Sequence, residues 1–264
     1  KCNLVTVLLL CCLIFPGNAE EFNWQDLVNR KQYAAVIAHA DSLTLADSSN
    51  YEIMNAIGQA YEGMLRYQKA YDYYRLCFSM DTTNLDILNI LARTATNLGR
   101  AEDAERYFHQ VLSADSSNFY ANYQLARLYF QLGEYEKAVD AYEKLQAQNE
   151  DNTVLYRAIG DCYTRMEQYP SATTAYFQAY NLNRENAGLA VALVHSLYRM
   201  GASSPDYISE GIAICDTALF YNPGNRQLLR SKGLGLYIVK QFVQADSVYS
   251  SLLADGDSTY LTLK

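Results

Sequence analysis

The sequence is short of proline, with 4 in 264 residues, and short of positive charge, with 21 Lys and Arg against 29 Asp and Glu. Scarce proline leaves helices unbroken, because a proline inside a helix removes a hydrogen bond and clashes with the preceding turn. A formal net charge of −8 argues against a nucleic-acid partner, which needs a broad Lys/Arg surface to neutralise phosphates. A membrane-spanning helix needs roughly 20 apolar residues, and the apolar run from Leu4 to Phe15 covers 12. Set between Lys1 and the small residues Gly17, Asn18 and Ala19, that run reads as a secretory signal peptide over residues 1–19. The mature chain is therefore expected in the periplasm or cell envelope, without an integral span. Lipid anchoring is not expected, because Cys11 follows Leu10 and Cys12 follows Cys11, leaving neither with the small residue that should precede a modified cysteine.

Frameworks for disulfides, metals and catalysis are missing as well. Beyond the leader only Cys77, Cys162 and Cys215 remain, an odd, widely spaced trio with no CxxC pair. Each falls where a helix wants a small apolar residue, so buried free thiols are expected. His39, His109 and His195 are far apart, and no HExxH, GxSxG or phosphate-cradling glycine loop occurs. Asp255 and Asp257 lack the distal Glu of a calcium loop. No enzymatic activity, metal or cofactor is expected.

What the sequence does have is hydrophobic mass and a period. Half of its residues are hydrophobic, 19% are charged and 24 are tyrosines, so burying a core is easy and disorder is not expected. The segment LARLYFQLGEYEKAVDAY from Leu125 is followed 34 residues later by IGDCYTRMEQYPSATTAY from Ile159. Ala126 pairs with Gly160, Tyr129 with Tyr163, Ala138 with Ala172 and Tyr142 with Tyr176. The register divides the chain into units 51–84, 85–118, 119–152, 153–186, 187–225 and 226–259. Unit 187–225 carries five extra residues around Ala202–Asp206. A degenerate unit covers 20–50, with Leu27, Tyr33 and Leu43 in register, and a stub covers 260–264.

Within a unit the apolar residues recur at helical spacing in two stretches, predicting a helix pair. Small residues at the eighth and twentieth places let the pair approach closely. Aromatics at the eleventh, seventeenth and twenty-fourth fill the space between units. Asn50, Asn84, Asn118, Asn152, Asn186 and Asn225 close the units just before each next helix, where asparagine is among the best N-caps. Pro170 suits the first turn of a second helix.

This pattern resembles the tetratricopeptide repeat, whose consensus has small residues at places 8, 20 and 27 and aromatics at 11, 17 and 24. The resemblance runs over about residues 20–260. It departs from the family in lacking the place-4 Trp, and it keeps the place-32 Pro only as Pro223. It implies an all-α, right-handed α-solenoid of antiparallel helix pairs, with a groove lined by first helices and a role in binding proteins or peptides.

If places 4, 7, 8 and 11 of each first helix are buried, places 2, 5, 9, 12 and 13 face the groove. Six of the 13 arginines and none of the eight lysines fall there: Arg93, Arg127, Arg157, Arg165, Arg199 and Arg230. Arginine suits bidentate recognition of carboxylate or phosphate. Tyr120, Tyr123, Phe130, Tyr198 and Tyr237 add rigid contact area, and His195 joins them. These twelve residues form the expected partner-binding groove, for a protein or peptide segment bearing acidic groups. The competing expectation is that the arginines pair with carboxylates on adjacent helices. The Lys/Asn pairing of chaperone-binding clamps is absent from places 5 and 9, so a chaperone tail is not the expected ligand.

An exported adaptor or scaffold is the favoured function. A sensory region of a longer signalling protein and an accessory domain of an envelope enzyme are the alternatives, because Tyr260–Lys264 looks like the start of another first helix. Self-association through uncapped terminal repeats is also expected.

Overall fold

The computed structural model describes residues 23–40, 50–149 and 151–254. The leader, Leu43, Asp255, Asp257 and the stub at 260–264 lie outside the described residues. Fourteen helices and no strands occur among those described. They are α1 (Trp24–Asn29), α2 (Tyr33–Ala40), α3 (Tyr51–Gly63), α4 (Tyr67–Met80), α5 (Leu85–Asn97), α6 (Ala101–Ala114) and α7 (Phe119–Leu132). Then come α8 (Tyr135–Gln146), α9 (Thr153–Arg165), α10 (Tyr169–Leu182), α11 (Ala187–Met200), α12 (Asp206–Tyr221), α13 (Arg226–Ile238) and α14 (Phe242–Ala254). The chain forms two compact units, Lys1–Tyr107 and Phe108–Lys264. In each, consecutive helices pack on one another as antiparallel pairs, α3 on α4 in the first and α7 on α8 through α13 on α14 in the second.

Both ends of the first helices repeat the same chemistry, with one exception at the end of α11. The asparagines expected as caps are caps. Asn50 accepts from the amides of Glu52 and Ile53, Asn84 from Asp86 and Ile87, Asn118 from Ala121. Asn152, Asn186 and Asn225 do the same for α9, α11 and α13. At the other end, the amide two residues before place 18 closes the helix by reaching back over six residues. Arg66 donates to the Tyr61 carbonyl at 2.9 Å, Arg100 to Ala95 at 2.9 Å, Glu134 to Tyr129 at 2.9 Å and Gln168 to Tyr163 at 2.9 Å. This Schellman closure puts the preceding residue in the left-handed region. Gly99 and Gly133 occupy that place with φ of 71° and 82°, but Leu65, Glu167 and Lys240 occupy it too, at 58°, 59° and 63°. In the unit with the insertion the equivalent Gly201 has φ −58°, because five extra residues carry the chain to α12 without a tight turn.

Packing inside the pairs follows the small-residue places. Place 20 is Ala70, Ala138 and Ala172, each with no exposed surface. At place 8, Gly58 and Gly160 receive the rings of Tyr74 and Tyr176 from the second helix of the same unit. The three cysteines are buried free thiols, as expected.

Unit 187–225 solves the same packing problem differently. Its place 24 is Cys215, too small to fill the space. Tyr198 from α11 fills it instead, its ring lying against Gly211 of α12 and Gly235 of α13, and its hydroxyl donating to the Ser231 carbonyl at 3.0 Å.

Candidate functional site

In the second unit the first helices α7, α9, α11 and α13 present two adjoining depressions. One, of about 360 Å³, is lined by Tyr123, Arg127, Phe130 and Gln131 of α7 and by Val154, Arg157, Ala158 and Asp161 of α9, with Tyr142 of α8 below. The other, of about 390 Å³, lies among α9, α11 and α13. Arg157, Val191, Ala192, His195 and Leu234 are on its wall and Tyr176 of α10 is beneath. Arg157 lines both.

The tyrosines under these depressions come from the second helices. A small residue at place 8 leaves a gap in the first helix, and the place-24 ring passes beside it so that its hydroxyl meets the first-helix face. Tyr176 donates to Asp161 at 2.7 Å and lies 3.1 Å from the Thr164 hydroxyl. Burial pushes the Tyr176 phenol above its ordinary range, with the Asp161 carboxylate adding to the rise. Tyr142 is likewise raised by burial, while the nearby Arg127 charge pulls it down. The phenols therefore stay protonated as donors at neutral pH.

The expected groove residues divide into three groups. Tyr123, Arg127, Phe130, Arg157 and His195 line the depressions. The Arg127 guanidinium approaches Gln124 at 3.4 Å, and the Arg157 Nε stands 3.9 Å from Asp161. Both are long contacts, and both arginines are exposed. Tyr198 lines the second depression but is chiefly the core ring described above.

A second group is occupied with the fold. Arg165 lies over Phe130 at 5.8 Å and Tyr135 at 5.9 Å, and Arg199 lies over Tyr169 at 4.9 Å while donating to its hydroxyl at 2.7 Å. Both are place-13 arginines covering a place-17 tyrosine of the preceding repeat. Arg230, half-buried on α13, also has a partner within the molecule. In the first unit Arg93 is bound to Glu62 at 2.8 Å, and Glu62 also accepts from Tyr74 at 2.9 Å. For Arg93 the pairing of arginine with a neighbouring carboxylate holds.

The remaining two, Tyr120 and Tyr237, are exposed and line neither depression. Tyr237 packs edge-on against Phe242 with ring centres 5.6 Å apart.

Sequence reasoning missed Tyr142 and Tyr176, counted there as core, and the place-6 residues Ala158, Ala192 and Ser231, which also line the depressions. The signal available was the pairing of a small place 8 with a tyrosine at place 24. Among the described residues there is no cluster of three potential metal ligands, and no helix is long and apolar enough to cross a membrane.

Helix pairs of this length and cap chemistry define a helical-repeat protein. Residues 51–84 and 98–162 match the tetratricopeptide-repeat family models, one segment in the first unit and one spanning the start of the second. No curated protein sequence matches the chain. Solved structures do. The C-terminal part of a repeat-containing protein of this kind from Cytophaga hutchinsonii superposes with a TM-score of 0.72 at 15% identity, over 88% of this chain and 93% of that one. A tetratricopeptide repeat protein from Parabacteroides merdae gives 0.62 at 16% identity, over 77% and 79%. YrrB, described as a repeat protein with an unusual peptide-binding site, gives 0.58 at 17% identity, over 72% and 95%. At these identities the likeness is one of fold.

Proposed function

We propose that this chain is a non-catalytic protein- or peptide-binding scaffold, exported to the periplasm or cell envelope, which holds its ligand on the first-helix face of the second unit. The observation that carries the reading is the pair of adjoining depressions with Arg127 and Arg157 on their walls. Concave sites lined mostly by apolar and aromatic side chains, with a few convergent polar groups, are where ligands bind. The peptide-binding description of YrrB supports the same use of the fold, and the apolar run Leu4–Phe15 supports export. The two arginines favour a ligand bearing acidic groups.

The test is affinity purification of the tagged full chain from its native cells, with mass spectrometry of what co-elutes. A specific partner should co-purify with the wild type and be lost from Arg127→Glu/Arg157→Glu. Equal recovery on both baits would refute this face as the binding surface.

A further inference from the structure

The repeat pattern breaks at one junction of the second unit, and the break opens a separate apolar depression. In two successive repeats a place-13 arginine covers a place-17 tyrosine of the repeat before it: Arg165 over Tyr135 at 5.9 Å and Arg199 over Tyr169 at 4.9 Å. At the next junction place 13 is Ile238, and place 17, counted past the five extra residues, is Ile208. Two aliphatic side chains stand where the other repeats set a cation on a ring. Ile208 is 2% exposed and Ile238 45%. Both line a depression of about 310 Å³, together with Gly201 and Pro205 from the segment between α11 and α12 and Val239 and Lys240 from the turn after α13. It shares no residue with the two depressions on the first-helix face.

The lining is chemically simple. A β-carbon on Gly201 would stand 2.8 Å from Cγ1 of Ile208, so the glycine leaves room for that side chain beside the exit from α11. Five of the six lining residues have no polar side chain. The sixth, Lys240, is exposed and has no carboxylate partner among the described residues. Asp206, next to Pro205, is not on the wall, and its carboxylate accepts from the Ser204 hydroxyl at 3.2 Å. Small-molecule sites run from about 300 to 1,000 Å³, so this one suits a narrow ligand. Aliphatic walls favour an aliphatic chain, and one unpaired cation beside them selects a negative head group over a neutral or positive one.

We propose that this depression binds a short aliphatic monocarboxylate, its tail against Ile208 and Ile238 and its carboxylate on Lys240. The proposal goes beyond the scaffold reading and does not depend on it.

The probe is octanoate, titrated into the full chain carrying carbon-13 in its isoleucine δ-methyl groups. Ile208→Val and Ile238→Val assign the two signals, which should shift saturably. From butanoate upward each added methylene should tighten binding by up to about fourfold until the depression is filled. Octanol should bind about two- to fivefold more weakly than octanoate, and octylamine more weakly still. Lys240→Gln should abolish the preference for octanoate over octanol and leave octanol binding unchanged. Ile238→Gln should weaken both by about fivefold. Both substitutions fall on exposed side chains, and unchanged circular dichroism and melting show that the variants are folded. No saturable shift at about 10 mM octanoate, shifts that spare Ile208 and Ile238, or an undiminished preference in Lys240→Gln would overturn the proposal. So would displacement of octanoate by equimolar N-acetyl-leucinamide, which would make the depression a seat for a polypeptide side chain instead.

Discussion

A β-carbon placed on Gly160 would stand 2.6 Å from Cε1 of Tyr176. The same approach recurs at 2.6 Å between Gly58 and Tyr74 and at 2.7 Å between Gly233 and Tyr249. Glycine sits inside these helices because a ring from the partner helix takes the volume of its missing side chain. Gly160→Ala gains helix propensity, but the overpacking outweighs it, for a net loss of about 1–2 kcal/mol. Urea denaturation should register that loss. Tyr176→Leu in the same background should recover part of it, giving a double mutant less destabilised than the two single effects added together.

Two tyrosines expected to share a binding role part company in stability. Tyr198→Ala empties the space between Gly211 and Gly235 and should cost about 3–5 kcal/mol, as for other large aromatic truncations in cores. Tyr237 is 57% exposed, so Tyr237→Ala should stay within about 1 kcal/mol of the wild type. Thermal melts of the two variants side by side decide this. Similar melting points would show that Tyr198 is not the filler of unit 187–225.

The left-handed place at the end of each first helix separates backbone cost from packing. Nothing lies within 4 Å of where a β-carbon on Gly133 would go, and its φ is 82°. Gly133→Ala should therefore lose about 1 kcal/mol from the backbone alone. Glu167, at φ 59°, offers the converse. Glu167→Gly relieves the strained conformation but frees the unfolded chain, and the balance should be a gain of about 0.5 kcal/mol. Chemical denaturation midpoints moving in opposite directions would bear this out.

Thiol reactivity should report global unfolding. Burial pushes Cys162 and Cys215 up to about 12 and Cys77 up to about 11, from an ordinary 9.0. Folded protein at pH 8 should leave a thiol reagent unreacted, with labelling appearing only as denaturant unfolds the chain. These raised values favour the protonated thiol in the folded state. The stability they contribute is complete below about pH 9 and declines as pH rises through 11 to 12. Tyr71, raised to about 12 chiefly by burial and then by its contact with Tyr107, adds to the same alkaline loss. Denaturation at pH 7 and pH 10.5 should show the second less stable.

The fold was legible because its information is local and repeated. Asn152 before Thr153, Ala172 at place 20 and Pro170 in the first turn of α10 each mark an element from residues within a few positions. The face of each first helix was legible too, since helix geometry alone puts Arg127 and Arg157 on one side. What was not legible is which arginine is already occupied. Arg165 and Arg199 look like Arg127 in the linear pattern, yet Tyr135 and Tyr169, some 30 residues earlier, hold them. A cation over a neighbouring ring depends on rotamers that no period encodes. The replacement of a place-24 tyrosine by Tyr198 from the other helix was hidden for a similar reason: Cys215 announces a gap but not the side chain that closes it.

Because Tyr142 and Tyr176 are rooted in the interior and line the depressions from beneath, their hydroxyls can be removed from below the surface. Phenylalanine at either position would leave the helices where they are and put bare hydrocarbon under the proposed site, freeing Asp161 from the Tyr176 hydroxyl in one case. Selectivity in such a protein can thus drift through residues that a surface survey would never count, with shape held constant while chemistry changes.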